Sequence, residues 1–367
     1  MIVERRLSAH IDWPLLAAIL ALTLIGLATI YSVTLNPVTR QPGSQFWTQL
    51  YALPIAFCAM AVCLMIDYRT LAQRSLIIYG LFLLSLVAVM FIGDVRMGAR
   101  RWIRIGGFSL QPSEFGRIVL ALVLAMIYGD GRRSARTVWD IGVGAAVLAP
   151  PLLLILNQPD LGTAATLVPV LVGVIFLAGL RLKWLAVGAV IAALLSPIAW
   201  AYVLEDYQKK RIETFIDPSK DPRGDGHQQI QAKVTVGSGG LLGKGFLQGT
   251  QGGYGFLPVA HNDFVYSVLA EEHGFLGVLV TLGLYLFVLM RSLDAARLAK
   301  DRVGAFLVVA IISGFAFQVV YNITMSAGLA PVKGLTLPLM SYGGSSLVST
   351  LAAFGLILNV RMRRFTN

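Results

Sequence analysis

The stretch PVAHNDFVYSVLAEEHG, Pro258 to Gly274, sets His261, Asn262, Asp263, Glu271, Glu272 and His273 beside the apolar run that begins at Phe275. A carboxylate at the edge of a hydrocarbon layer is costly, so Asp263 asks for a use. Partly desolvated at a helix mouth, it would have a raised pKa and could serve as a general base. The plainer role is an N-cap carboxylate accepting backbone N–H bonds at the start of the next helix. The two roles are compatible. His261 and Asn262 read as polar loop groups, with a ligand or proton-shuttle role for His261 as the alternative. Glu271, Glu272 and His273 fall two to three turns deeper and read as buried groups with internal partners.

Glu114 and Arg117 stand three apart, on one helix face. Asp160 is expected at similar depth and is the carboxylate Arg117 should pair with. Such a cluster either locks two helices or positions substrate or metal beside Asp263. Arg96, Arg100, Arg101 and Arg104, with Trp102 interleaved, could clamp a diphosphate through charge-assisted bonds. They could equally anchor to headgroups, with Trp102 in the interfacial belt. Lys209, Lys210, Arg211 and Lys244 fit a solvated loop face better. The run GSGGLLGKGF lacks the spacing and the Ser or Thr after Lys of a nucleotide phosphate loop. Carboxylates near a diphosphate could hold a divalent cation such as Mg2+ or Mn2+, although no fixed-spacing metal motif is present.

These residues hang on a membrane scaffold. The 367-residue chain is 56% hydrophobic and only 13% charged, well below the roughly 25% charge of a soluble domain. Ten apolar stretches recur, at about 13–33, 46–66, 75–93, 114–129, 139–156, 162–180, 184–204, 263–290, 304–325 and 344–360. Most are long enough to cross a hydrocarbon core of roughly 30 Å as helices. The fold class expected is therefore an all-α polytopic membrane protein of one domain. The first stretch reads as a span rather than a cleaved signal, because no small-residue cleavage site follows it. Cys58 and Cys63, both in the second stretch, read as small buried apolar residues.

Lys and Arg concentrate in alternate loops, at Arg5 and Arg6, Arg69 and Arg74, Arg132, Arg133 and Arg136, Arg181 and Lys183, Arg291 to Arg302, and Arg361 to Arg364. That bias puts those loops and both termini in the cytoplasm. One long loop, about 205–262, then lies outside, between the seventh and eighth spans. Two outer segments are nevertheless basic, and the net charge is +11; an anionic ligand on the outer face would explain the excess. Gly and Pro clusters also gather in the outer loops, and irregular backbone at membrane depth survives only where it is buried or lines a cavity. The working surface therefore faces outward.

The motifs QPSEFGR, QPDLGTA, GSGGLLGKGF, HNDFVYSVLAEEHG and PVKGLTLPLMSYGGSS, in this order from about Trp13 to Arg364, resemble the SEDS family of shape, elongation, division and sporulation proteins. The short N-terminal arm and RWIRIGGFSLQPSE resemble its elongation branch more than its division branch. The resemblance implies ten helices and a peptidoglycan glycosyltransferase that polymerises lipid II at the outer leaflet of the bacterial cytoplasmic membrane. Asp263 matches the family's catalytic aspartate. Glu114, Arg117, Asp160, Arg101, Trp102, Lys244, His261, Asn262, Lys333, Ser341 and Ser345 fall in or beside the matched segments and are the candidate supporting residues. Arg117 stands where the family usually has Lys, and the two are not interchangeable in bonding geometry.

The implied partner is a class B penicillin-binding protein, a single-span transpeptidase; lipid II and membrane lipids complete the expected ligands, with no nucleic acid. Helices eight and nine are the expected docking face, through small residues that include Gly277, Gly283 and Gly314. Two other functions fit parts of the pattern. A flippase for the lipid-linked precursor would also have many spans and intramembrane charges, but should be elaborate on both faces. A non-catalytic scaffold for the transpeptidase would leave Asp263 replaceable.

Overall fold

The computed structural model describes residues 10–36, 38–96, 99–106, 108–130, 137–202, 204–221, 224–253 and 255–365. Arg5, Arg6, Arg132, Arg133 and Arg136 of the charge pattern lie outside them.

Each of the ten apolar stretches is helical over most of its length. In chain order the helices are α1 (Trp13–Thr34), α2 (Ser44–Met65), the short α3 (Tyr68–Gln73), α4 (Ser75–Ile92), α5 (Gly116–Gly129), α6 (Val138–Leu156), α7 (Leu161–Leu177) and α8 (Leu182–Tyr202). Then come α9 (Asp206–Ile216), α10 (Asp225–Ser238), the single turn α11 (Thr250–Gly253), α12 (Val265–Arg297), α13 (Arg302–Ser326) and α14 (Gly344–Met362). Among the described residues, 8 helices are long and apolar enough to cross a membrane, α5 being counted with the 3-10 turn Pro112–Phe115 before it. α7 and the Ala186–Tyr202 part of α8 are shorter apolar helices.

The bundle is built around α14. That helix is buried on all sides, whereas α4 turns Leu76, Ile77, Leu81, Leu84 and Phe91 outward as a lipid-facing surface would. α14 runs along α2, while α13 packs against α5, α7 and α12. Gly355 permits the α2–α14 approach, since a Cβ there would sit 2.5 Å from the Met60 carbonyl oxygen. At the end of the bundle opposite Asp263, Asp12 caps α1 by accepting from the Leu15 amide and pairs with Arg291 at 3.0 Å and Arg361 at 2.7 Å. One buried carboxylate thereby ties α1, α12 and α14, the arrangement a buried charge requires.

Two features depart from a plain helical reading. Residues 94–110 form a small antiparallel sheet of β1 (Asp94–Arg96), β2 (Ala99–Ile105) and β3 (Phe108–Leu110). Within ARRWIRI only Ile103, Arg104 and Ile105 alternate apolar and charged with the two-residue period of a strand. The segment between α8 and α12 is not an open loop either: it carries α9, α10 and α11, and α10 lies against α12.

Candidate active site

At the mouth of the bundle a polar cavity of about 310 Å³ is lined by Thr48, Arg101, Trp102, Ser109, Gln111, Glu114, Asp160, Thr163, Asn262, Asp263, Gly334, Thr336, Tyr342, Gly343, Gly344, Ser345 and Ser346. Three carboxylates and one guanidinium from distant parts of the chain share this space.

Asp263 sits on the last turn before α12. Val259 takes a positive φ of 52°, and its carbonyl accepts from the amides of Asn262 and Asp263. The Asp263 carbonyl accepts from Asn322 of α13 at 2.8 Å, which fixes the backbone behind the carboxylate. The carboxylate faces Gly334. The cap position of α12 is Phe264, one residue after Asp263, and its side chain makes no cap bond. Asn262 contributes a buried Oδ1 with no hydrogen-bond partner among the described residues.

Asp160 is the N-cap of α7, accepting from the Thr163 amide at 3.0 Å and hydroxyl at 2.9 Å. Gln111 donates to it at 2.8 Å, and Arg101 stands 4.0 Å away. Arg101 donates its other nitrogens to the carbonyls of Gln158 and Pro159 at 2.7 and 2.6 Å and lies over Trp102. Glu114 bonds Arg117 at 3.3 Å, and Arg117 bonds Gln318 of α13 on its far side. Ser345 accepts from the Gln111 amide and donates to the Ser109 carbonyl, joining the sheet to the start of α14.

The expected Arg117–Asp160 pair is therefore replaced by two others. Arg117 satisfies its charge within its own turn, because Glu114 is three residues away and the Gln318 amide oxygen is in reach. Asp160 is claimed by Arg101. Of the expected arginine clamp Arg101 and Trp102 line the cavity. Arg104 pairs with Asp94 at 3.1 Å and Arg100 bonds the Phe91 carbonyl, and the Arg96 side chain lies outside the described residues. Lys244 is elsewhere, 2.6 Å from Glu271. Lys333 lies over the Tyr321 ring, and burial with the nearby Arg211 charge lowers its pKa. His261 packs edge-on against Tyr342, and burial lowers its pKa too. Ser341 is spent inside the loop, accepting from the Leu337 amide.

The cavity also recruits residues that residue-type reasoning passed over. Gln111 and Thr336 stand inside the quoted motifs but carry no charge to mark them, and Thr48 has no signal at all. Among the described residues no group of three or more His, Cys, Asp or Glu could hold a metal ion. Glu114 and Asp160 are already committed to Arg117, Gln111 and Thr163, which leaves Asp263 without co-ligands. The donor set does not fit a resident divalent cation.

Several relatives match over nearly the whole chain. A peptidoglycan glycosyltransferase MrdB of Escherichia coli (strain K12) is 34% identical, covering 97% of this chain and 95% of its own. A probable peptidoglycan glycosyltransferase FtsW of Trichlorobacter lovleyi is 38% identical, covering 96% and 93%. A chain from a solved peptidoglycan synthase complex, described as coordinating polymerization and crosslinking, superimposes with a TM-score of 0.84 at 34% identity, covering 97% of this chain and 99% of that one. The model of the FtsW, RodA and SpoVE family of cell cycle proteins matches residues 13–365, and this chain belongs to that family.

Proposed function

We propose that this protein is a peptidoglycan glycosyltransferase that polymerises lipid II, with Asp263 as general base. The observation that carries this reading is the cavity that Asp263 shares with Arg101, Trp102 and the start of α14. The acceptor sugar hydroxyl gives its proton to the Asp263 carboxylate as its oxygen attacks the anomeric carbon of the donor. The bond from that carbon to the lipid diphosphate breaks, and the diphosphate leaves with the electron pair. Its charge is met by Arg101 and by the first amides of α14, whose cap Gly343 offers no competing side chain. The unpartnered Oδ1 of Asn262 suits a sugar hydroxyl. Glu114 lines the cavity and is paired with Arg117 behind it.

The membrane arrangement follows the same reading: ten spans, both termini cytoplasmic, and the cavity at the outer face, where the basic outer segments meet an anionic lipid. The RWIRIGGFSLQPSE segment favours a role in elongation. The partner is a class B penicillin-binding protein docked on α12 and α13. A flippase is less well supported, because the relatives that match nearly the whole chain are named as glycosyltransferases. Reconstituted protein with its partner and fluorescent lipid II tests the assignment. Asp263→Asn keeps size and polarity but removes the base, and should abolish polymer; near-normal polymer from this variant overturns the reading.

A further inference from the structure

Glu271 lies two turns into α12, fully buried, and does not line the cavity. Its carboxylate accepts from the backbone amides of Thr250 at 2.9 Å, Gln251 at 3.0 Å and Gly252 at 3.2 Å. The Lys244 ammonium, at 2.6 Å, and the hydroxyls of Thr250 and Ser238 also reach it. Beside it α12 breaks at Gly274, where φ is 63°. The segment 240–245 fills the break: the amides of Lys244 and Gly245 donate to the carbonyls of Glu271 and Glu272, both at 2.9 Å. In return the amides of Phe275 and Leu276 donate to the carbonyls of Gly240 and Leu241. Without that segment, the broken backbone would be unsatisfied at membrane depth.

These bonds have a topological consequence. The chain leaves the Glu271 carboxylate at 250–252, passes the strained Val259, reaches Asp263 and returns down α12 to Glu271. Residues 250–271 thus form a ring closed by charge-assisted hydrogen bonds, with Asp263 about midway. Asn322 and Tyr342 pin the far side through the carbonyls of Asp263 and His261.

We propose that Glu271 is a positioning residue for polymerisation: it fastens the ring that aims Asp263 into the cavity, without touching substrate. The inference rests on the reading of Asp263 as the base. A carboxylate is required because every group converging on it is a donor. A carboxamide would set its own N–H against the backbone N–H groups it should accept from.

The test compares wild type, Glu271→Gln, Glu271→Asp and Asp263→Asn in the reconstituted complex with lipid II. Glu271→Gln should lower kcat about 100-fold, the scale of a small misplacement of a reacting group, with KM for lipid II little changed. Amide hydrogen exchange should quicken at 250–263 while the other helices keep their protection. Glu271→Asp, which keeps the charge, should recover part of kcat. If Asp263→Asn polymerises normally, the base assignment fails and the proposal falls with it. If Asp263→Asn is inactive but Glu271→Gln is as active as wild type, the positioning role alone is overturned. A lost rate with unchanged exchange at 250–263 overturns it as well. Should Glu271→Gln not fold, Lys244→Met decides: a smaller loss of kcat with the same local exchange supports the proposal, and wild-type kcat overturns it.

Discussion

Arg117 reaches Glu114 at 3.3 Å within one helical turn, and both side chains are almost completely shielded from solvent. With Gln318 on its other side, Arg117 joins α5 to α13 beneath the cavity. A buried charge that loses its partner is expensive, so Arg117→Met should destabilise the protein by about 3–5 kcal/mol. Glu114→Gln with Arg117→Met should be milder than the single Arg change. Asp160 bonds neither Glu114 nor Gln318, though its charge acts on Glu114. A double-mutant cycle between Arg117 and Asp160 should therefore show only a small coupling carried through Glu114, at most about 1 kcal/mol. Thermal melts in detergent check all three outcomes.

Gly274 marks the second mechanical point. A Cβ there would stand 2.2 Å from the Gly243 amide nitrogen, and the backbone is left-handed. Gly274→Ala should cost at least about 1–3 kcal/mol in backbone strain, besides pushing the 240–245 segment away. Gly283, nine residues along the same helix, has open space around its Cα, and Gly283→Ala should leave the melting temperature unchanged or slightly raised. Equal melts for the two variants would show that the break is not needed.

His261 gives a pH signature. Its folded pKa lies below the unfolded value of about 6.5 because burial disfavours the imidazolium. The unfolded chain therefore binds more protons near that pH, and stability rises with pH. The contribution is fully present above about pH 6.5 and is lost as pH falls through the lower folded value. His261→Gln should flatten the decline of melting temperature between about pH 7 and 5. A wild-type and variant pair that decline in parallel would refute this.

The docking face can be probed without disturbing the bundle. Gly314 is unsuitable, since its Cβ would lie 3.0 Å from Val170 and 3.4 Å from Arg117; bulk there disrupts internal packing. Gly277 is similarly crowded by His273. Gly283 is open and flanked by the exposed Leu279, Val280, Leu286 and Phe287. Gly283→Leu should weaken capture of the transpeptidase about fivefold, equivalent to roughly 1 kcal/mol of lost helix packing. Unchanged copurification would move the interface off this face of α12.

The helices and Asp263 were legible in the chain itself. Runs of apolar residues such as Trp13–Thr34 need no partner to declare themselves, because hydrocarbon demands internal backbone bonding and only a helix of about that length supplies it. Asp263, Glu114 and Asp160 were legible because a carboxylate beside such a run is costly unless used. Pairing was not legible. Whether Arg117 meets Asp160 or Glu114 depends on how α5 is turned against α7 and α13, and spacing along one helix cannot report the rotation of another. Lys244 looked like a solvated loop charge until the fold closed the 240–253 segment over the break in α12 and made Glu271 its partner. Local residue type set which groups must be satisfied; only the packing of distant segments decided which group satisfies which.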